Sequence, residues 1–456
     1  VTELPLGALR DALTGSALLD DPDELAAFGG DASGAAGVTP AGVVLAATVE
    51  DISATLRWAT EHGVPITPRG AGTGKAGGCV PSEGGVVLSL APMQAILDVR
   101  PEHGWAEVEP GVITGPFRDA MADEHRLFYP PDPASLDECT LGGNVATNAG
   151  GPVATKYGVT GDHVLGVTAV LADGTVVETG RRQPKGVAGY DLTSLLVGSE
   201  GTLAVIAGIR LRLRPRPREV LAAMIAFETT AHAAAAVVGA RTSGLEPRAL
   251  ELFDSTTVQR VGRSVHSGVD PAWGALLIVE FDGEVGQTGL ALQRFAEELP
   301  HPPMHLQLCK SDAQRKALWA MRRGASKQVK EGALGWITED VAVPLGAMPR
   351  MLQRIRQIGR RHKLVAFAYG HAGDGNLHVN LLWEELSGSS RVGKAADEVM
   401  QAALELGGTV TGEHGVGLLK RQYLEQELGA AQVALQRSLK RTFDPAGILN
   451  PGKVFA

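Results

Sequence analysis

The run Tyr369-Gly370-His371-Ala372-Gly373-Asp374-Gly375-Asn376-Leu377-His378-Val379-Asn380 sets two histidines either side of an Asp-Gly pair. Asp-Gly between apolar flanks is a two-residue turn signal, because both residues tolerate positive φ, so the run reads as a hairpin closed by Asp374-Gly375. That register places His371 directly opposite His378 and Tyr369 opposite Asn380. Opposite residues share a sheet face with Cβ atoms about 4.5–5.5 Å apart. Two imidazoles that close either share a metal ion or hydrogen-bond in a polar core, and the pair alone does not choose. A second run, Thr411-Gly412-Glu413-His414-Gly415-Val416-Gly417, adds a carboxylate and a third imidazole in a glycine-rich loop. Adjacent side chains point apart, so one of Glu413 and His414 can bind metal while the other moves protons.

A third run, Pro68-Arg69-Gly70-Ala71-Gly72-Thr73-Gly74-Lys75, imitates two phosphate motifs and satisfies neither. A P-loop needs a glycine where Arg69 stands and Ser or Thr where Ala76 stands. A dinucleotide fingerprint needs a helix straight after its glycines, and Gly77-Gly78-Cys79-Val80-Pro81 cannot start one. What remains is a strand ending in a loop whose backbone N–H groups can face an anion closely, with Arg69 as a fixed charge. Thr140-Leu141-Gly142-Gly143-Asn144-Val145-Ala146-Thr147-Asn148-Ala149-Gly150-Gly151 reads as a second loop of small residues and hydrogen-bonders. Two such stretches suggest walls around a long polar ligand.

The elements that must carry these runs follow from periodicity. A short helix near Leu6–Leu13 precedes a Gly/Ala-rich connection up to residue 36. Val43–Ala47 is a strand, Thr48 caps a helix with Asp51 three residues on, and Gly63 ends it. Strands follow at Val64–Thr67, Val86–Leu90, Ala106–Val108, Val164–Leu171, Val176–Thr179 and Leu203–Leu213, with Pro130–Gly161 loop-rich. In the last of these strands Ile209, Leu211 and Leu213 alternate with arginines, so one face is buried and one is wet. The five arginines from 210 to 218 read as a solvated face that discourages edge pairing. From Val220 the pattern is strand–helix–strand repeated three times: Leu221–Phe227, Ala231–Thr242, Arg248–Phe253; Ala275–Phe281, Thr288–Leu299, Met304–Cys309; Ile337–Val343, Met348–His362, Leu364–Tyr369. Repeats of this size suit a ferredoxin-like α+β sheet. Residues 421–456 read as helix and then a Pro/Gly-rich tail.

Composition narrows the partners. The chain has 456 residues, 44% hydrophobic and 20% charged, with 42 Lys+Arg against 51 Asp+Glu for a net charge of −9. That is globular and mildly acidic, without a field for nucleic acid or anionic lipid. Its 58 glycines fall in clusters without a three-residue period, which excludes collagen. Cys79, Cys139 and Cys309 match no zinc or CxxC spacing and cannot all pair, so a reducing compartment is expected. No apolar run reaches the ~18 residues of a membrane span, and Val1–Asp20 lacks the basic-then-apolar order of a signal peptide.

The motifs together resemble the D-2-hydroxyacid dehydrogenase branch of the vanillyl-alcohol-oxidase superfamily, whose flavin domain is of PCMH type. That branch takes in D-lactate and D-2-hydroxyglutarate dehydrogenases and glycolate oxidase flavin subunits. The resemblance rests on Pro68–Gly74, Pro130-Pro131-Asp132-Pro133, Gly142-Gly143-Asn144, Gly198-Ser199-Glu200-Gly201-Thr202, Gly370–His378, Gly412–Gly417 and Asn450-Pro451-Gly452-Lys453, in the family's order along nearly the whole chain. It implies an α+β fold: a PCMH-type FAD-binding domain and a ferredoxin-like antiparallel-sheet cap. The implied boundaries are an N-terminal helical segment 1–36, an FAD-binding domain 37–216, a substrate and cap domain with a metal site 217–420, and a returning segment 421–456.

For FAD the resemblance implies Arg69, Gly70, Ala71, Gly72, Thr73, Gly74, Gly78, Pro131, Asp132, Thr140, Gly143, Asn144, Thr147, Gly151, Glu200, Gly201, Ile206 and Asn450. Covalent members carry a histidine in the first loop, where this sequence has Thr73 and Gly74, so non-covalent FAD is implied. It further implies a divalent metal, zinc first, on His371, His378 and Glu413. His414 would be the base, Arg322 the partner of the substrate carboxylate, Asn380 a polar group beside the substrate, and Ser326 a companion four residues after Arg322 on the same helix. The implied reaction is oxidation of a D-2-hydroxy acid (glycolate, D-lactate or D-2-hydroxyglutarate type) to the 2-oxo acid, with hydride passing to FAD N5. The electron acceptor would be a quinone, an iron–sulfur subunit or an electron-transfer flavoprotein, in a homodimer or hetero-oligomer. The implied setting is cytoplasmic, free or peripheral to a membrane. A relay or assembly subunit of a glycolate-oxidase-like complex is the alternative. A flavin-free metal hydrolase would leave the two glycine stretches without a use.

Overall fold

A computed structural model describes residues 4–183, 185–263 and 268–455, so the first three residues of the N-terminal segment lie outside it. The chain divides into two compact units. The first takes residues up to Gly150, Gly158–Arg216 and the chain from Glu413 onward; the second takes Gly151–Tyr157 and Pro217–Gly412.

In the first unit the capped helix forms over Val49–His62. Thr48 Oγ1 accepts the Asp51 N–H at 3.1 Å, and Gly63 closes the helix in the left-handed region at φ +64°. Ile52, Leu56 and Ala59, spaced to share one helical face, are fully buried. They pack on strands Gly42–Leu45, Ile66–Arg69 and Val86–Ser89, of which the first and second both run parallel to the third. Ala17–Leu19 adds an antiparallel edge. The tail of the chain is tied to the strand that delivers Arg69: Ile66 bridges Leu449, and the Asn450 N–H donates to the Ile66 carbonyl at 2.7 Å.

A second, antiparallel sheet runs Ile96–Arg100, Trp105–Val108, Val205–Arg212, Val164–Val170, Val176–Glu178. In Val205–Arg212 the alternation shows only at the end, after a run of buried residues from Val205 to Ile209. Ile209 and Leu211 are buried, Arg212 is exposed, and Arg210 is ion-paired to Glu107 at 2.5 Å. The stretch Pro130–Gly161 is less loop-like than its glycines suggest. Leu141–Thr147 is a helix, capped by Thr140 Oγ1 accepting the Gly143 N–H, and Ala154–Tyr157 is a further turn of helix. Leu141 and Val145 anchor the first of these in the core. Gly142 is there because a Cβ would come 2.6 Å from the Pro110 side chain.

The second unit is a seven-stranded antiparallel sheet with helices packed on it, ordered His305–Leu308, Glu219–Phe227, Ala275–Gly283, Ala249–Phe253, Val365–His371, Asn376–Trp383, Gly335–Ala342. Helix Met348–His362 shows why it lies on a sheet: Met351, Leu352, Ile355 and Ile358 are all buried on one stripe. Among the described residues, no helix is long and apolar enough to cross a membrane.

The hairpin departs from its expected register. Tyr369 pairs with His378 and Phe367 with Asn380, a shift of two residues. A two-residue type I′ turn needs positive φ at both positions. Only Gly375 takes it, at +83°, and Asp374 does not. The loop therefore widens to residues 372–375, and the Gly373 N–H reaches the Leu250 carbonyl at 3.2 Å instead. Because side chains alternate with period two, a two-residue shift keeps His371, His378 and Asn380 on one face.

Candidate active site

The strand Ile66–Arg69 delivers the first glycine loop to a cleft that opens to solvent. Among the described residues, the backbone N–H groups of Ala71, Gly72, Thr73 and Gly74 make no hydrogen bond within the protein. Such groups need an external acceptor, and a run of them is a nest for an anion. Gly70 and Gly72 hold this loop open in different ways. A Cβ at Gly70 would fall on Thr140 Oγ1, and Gly72 combines φ +73° with the Arg69 guanidinium where its Cβ would be. Arg69 does not point freely into the cleft, since its Nη1 donates to the Gly30 carbonyl at 2.6 Å.

The wall opposite comes from the capped helix and the Glu200 turn. Thr140, Gly143, Asn144, Thr147, Glu200, Gly201 and Ile206 line the cleft, as do Arg69 to Gly74 and Gly78. Pro133, Cys79, Ala149 and Gly150, from the same sequence runs, line it too, as do Ala134 and Ser135, which carried no signal in the sequence. Pro131, Asp132 and Asn450 are not among its lining residues, and Gly151 falls in the other unit. Asn450 braces the cleft from behind: its Nδ2 donates to the Gly78 carbonyl at 3.0 Å and the Glu200 carbonyl at 2.8 Å.

Glu413 and His414 line this same cleft. They sit at the start of a turn held by Glu200, whose carboxylate accepts the N–H of Val416 at 2.7 Å and of Gly417 at 2.9 Å. Burial pushes the Glu200 carboxyl up to about 7, and those two N–H groups only partly offset it. Gly415, at φ +84°, makes the sharp bend beside the Glu200 carboxylate. Glu413 Oε1 and His414 Nε2 stand 3.9 Å apart, so the two side chains face one region rather than splaying.

In the second unit, one face of the sheet gathers a polar cluster. The His371 and His378 rings meet edge to face with centroids 5.2 Å apart. His378 Nδ1 lies 3.8 Å from Asp340 Oδ1, on the neighbouring strand. Asp340 is fully buried and also accepts from Asn376 Nδ2 at 2.5 Å, Thr411 Oγ1 at 3.2 Å and the Gly412 N–H at 2.9 Å. Asn380 is buried with its amide engaged: Nδ2 donates to the His378 carbonyl at 3.0 Å, and Oδ1 accepts from Thr338 at 3.0 Å. Arg322 and Ser326 lie on helix Asp312–Gln328, Arg322 buried and Ser326 half-buried.

Sequence reasoning missed two acids here. Glu251 sits fully buried between Arg322 and His371, accepting from Arg322 Nε at 2.5 Å and meeting His371 Nδ1 at 2.6 Å. Burial alone would raise its carboxyl; the Arg322 and His371 charges outweigh that and hold it at about 2. Glu251 is an acid inside an apolar strand, a pattern costly enough to demand partners, and that was the available signal; Asp340 follows Glu339 in a more polar strand.

Side chains of a type to ligate a cation are Glu413 and His414 in the first unit, and Asp340, His378 and, beside Glu251, His371 in the second. Nitrogen and carboxylate donors of this kind suit zinc and its first-row neighbours. Chemically, then, the first unit offers an anion-receptive cleft with a proton-transfer pair on its wall. The second offers a carboxylate-compatible arginine and two imidazoles.

Comparison with known proteins agrees along the length of the chain. Residues 40–180 match the family described as FAD binding domain, and residues 216–454 that described as FAD linked oxidases, C-terminal domain. A glycolate oxidase subunit GlcD from Bacillus subtilis (strain 168) is 37% identical, over 91% of this chain and 89% of its own. A D-lactate dehydrogenase from Archaeoglobus fulgidus is 36% identical over 90% of each. Among solved structures, p-cresol methylhydroxylase with substrate bound superposes with TM-score 0.81 at 17% identity, covering 98% of this chain and 96% of that one. The 4-ethylphenol oxidase from Gulosibacter chungangensis gives 0.79 at 20%, covering 99% and 96%. These two likenesses establish the PCMH-type fold. With its family matches running through both units, and a cleft whose bare N–H groups suit a pyrophosphate, this chain belongs to the FAD-linked oxidases and is an FAD-dependent oxidoreductase.

Proposed function

We propose that this protein oxidises a small D-2-hydroxy acid to the 2-oxo acid, using non-covalent FAD and one divalent cation, zinc first. The observation that carries the reading is that Glu413 and His414 line the same cleft as the FAD-receptive glycine loop. A general base on the wall of a flavin cleft is what removal of a hydroxyl proton needs. The relatives named glycolate oxidase subunit and D-lactate dehydrogenase support the substrate class, since glycolate and lactate are both 2-hydroxy acids.

In this reading His371, His378 and Glu413 hold the cation, with Asp340 orienting His378. FAD, when bound, would supply the hydride acceptor for the C2 hydrogen, and the cation would supply a Lewis acid toward the 2-hydroxyl. The chain's own residues do the rest. Arg322 offers its two terminal nitrogens to the substrate carboxylate, which suits a planar fork. His414 accepts the hydroxyl proton. Asn380 stiffens the His378 strand from a buried position, through the His378 carbonyl.

Glycine positions in the first loop make a direct check on the cofactor. Gly72→Ala must relieve a positive φ of +73° and displace Arg69, so the loop reshapes. It is expected to retain at least tenfold less FAD after dialysis, read as the ratio of flavin to protein absorbance. Full retention would show that the loop does not clasp the cofactor.

The test of the activity is anaerobic mixing of zinc-replete holoprotein with D- and L-2-hydroxy acids. Bleaching of the flavin band is expected with one or more D-acids and not with their L-enantiomers. Chelator-stripped protein should bleach far more slowly and recover on adding zinc back. A second reading, a flavin-binding relay or assembly subunit feeding a quinone, an iron–sulfur subunit or an electron-transfer flavoprotein, draws on the word subunit in the relatives' names. A flavin that dithionite reduces but no hydroxy acid does would favour it.

A further inference from the structure

We infer that Glu251 is a positioning residue that couples the metal-binding imidazole of His371 to the carboxylate-binding guanidinium of Arg322. The inference rests on the function proposed above. Glu251 lies on strand Ala249–Phe253, and the sheet register sets it directly opposite His371 on strand Val365–His371. Opposite residues share a face, so the contact is built into strand pairing rather than left to a flexible side chain. Helix Asp312–Gln328 brings Arg322 to the other carboxylate oxygen. The two oxygens are thus divided, Oε1 to His371 Nδ1 at 2.6 Å and Oε2 to Arg322 Nε at 2.5 Å.

The division has a consequence at each end. An ionised carboxylate only accepts hydrogen bonds, so a neutral His371 would carry its proton on Nδ1 and keep the Nε2 lone pair as its ligand atom. A carboxylate that fixes the tautomer and ring orientation of a metal-ligating histidine also raises its basicity as a ligand. At the other end, Glu251 engages only the Nε of Arg322. The guanidinium lies against Phe253 and Tyr369, 5.8 and 5.1 Å from their ring centroids. Among the described residues, its terminal nitrogens make no hydrogen bond. Orientation is fixed and the fork stays available. One buried acid therefore sets both the ligand that would hold the cation and the cation that would hold the substrate.

Glu251→Gln keeps the shape and breaks the logic, because its amide nitrogen cannot accept from Arg322 Nε while its oxygen serves His371. The expected result is a double defect in a folded protein. Zinc affinity, from equilibrium dialysis, falls roughly 10–100-fold. KM for the hydroxy acid rises about tenfold or more, with flavin content and dithionite reduction unchanged. Histidine-selective 15N NMR of metal-free wild-type protein gives a check that needs no folded variant at this position: the His371 signal, assigned with His371→Asn, should show the Nδ1-protonated tautomer. Wild-type protein that binds zinc and oxidises its substrate, beside a folded Glu251→Gln variant equal to it in both, overturns the inference alone. An Nε2-protonated His371 does the same. Wild-type protein that takes up no zinc and is reduced by no hydroxy acid overturns the proposed function, and this inference with it.

Discussion

His414→Ala abolishes bleaching of the bound flavin by the hydroxy acid while the protein stays yellow. The expectation follows from where the residue sits. Its side chain is one of those lining the cleft, and it is not among the residues that shape the glycine loop. The turn that carries it is pinned one step further on, at Val416 and Gly417, by Glu200. Removing the imidazole therefore leaves the turn and the cofactor cleft standing. A positioned general base contributes roughly 10²–10⁴-fold, so the rate constant for anaerobic reduction should fall by about that factor. FAD content and reduction by dithionite should not change. His414→Gln, which restores bulk and a hydrogen-bonding end but cannot take a proton near neutrality, should be as slow as alanine. A variant that bleaches at the wild-type rate would remove His414 from the base role and turn attention to Glu413.

The same cleft shows what the sequence made legible. Runs of glycine with a charged or hydroxylated neighbour are rare enough to stand out, and Arg69 to Gly74 line the cleft, with bare N–H groups from Ala71 to Gly74. Capping chemistry was equally plain: Thr48 and Gly63 bound a helix because their side chain and backbone do local work that needs no tertiary context. Long-range pairing was not plain. The capped helix Leu141–Thr147 hid behind Gly142 and Gly143, of which Gly142 reflects close approach to Pro110 and not a loop. The helix Thr114–His125 passed unread because its N-cap position is Ile113, which gives no hydroxyl or carboxylate signal. The hairpin register slipped by two because Asp374 keeps negative φ, something dipeptide identity cannot reveal. That error left the face of each histidine unchanged, since pleating repeats every two residues. The partners of Glu251 and Asp340 were out of reach for the opposite reason. Glu251 stands alone in an apolar strand and Asp340 beside Glu339, and the meaning of each lies in distant partners, His371 and Arg322 for Glu251, Asn376 and Gly412 for Asp340.

Arg322→Lys should cost more than a conservative exchange suggests. The arginine has two separate tasks in the proposed site: Nε holds Glu251, and the terminal nitrogens face the substrate carboxylate. Lysine brings one compact ammonium group on a flexible stem and cannot do both. The buried Glu251 carboxylate, already close, will keep it. The fold should survive, because Glu251 retains a cationic partner and is not left as a lone buried charge, a loss that would cost about 3–5 kcal/mol. Substrate binding should not survive intact. Losing one partner of a desolvated charge pair costs about 2–5 kcal/mol, which at 1.36 kcal/mol per decade is roughly 30- to several-thousand-fold in kcat/KM. The loss should appear chiefly in KM, since the carboxylate is held in both ground and transition states. The 2-oxo acid product, titrated into the oxidised enzyme and followed by the flavin spectrum, should bind weakly by a similar factor. Flavin content and zinc content should match wild type. Wild-type KM in Arg322→Lys would show that the carboxylate is held elsewhere, and the role of Arg322 would then shrink to balancing Glu251.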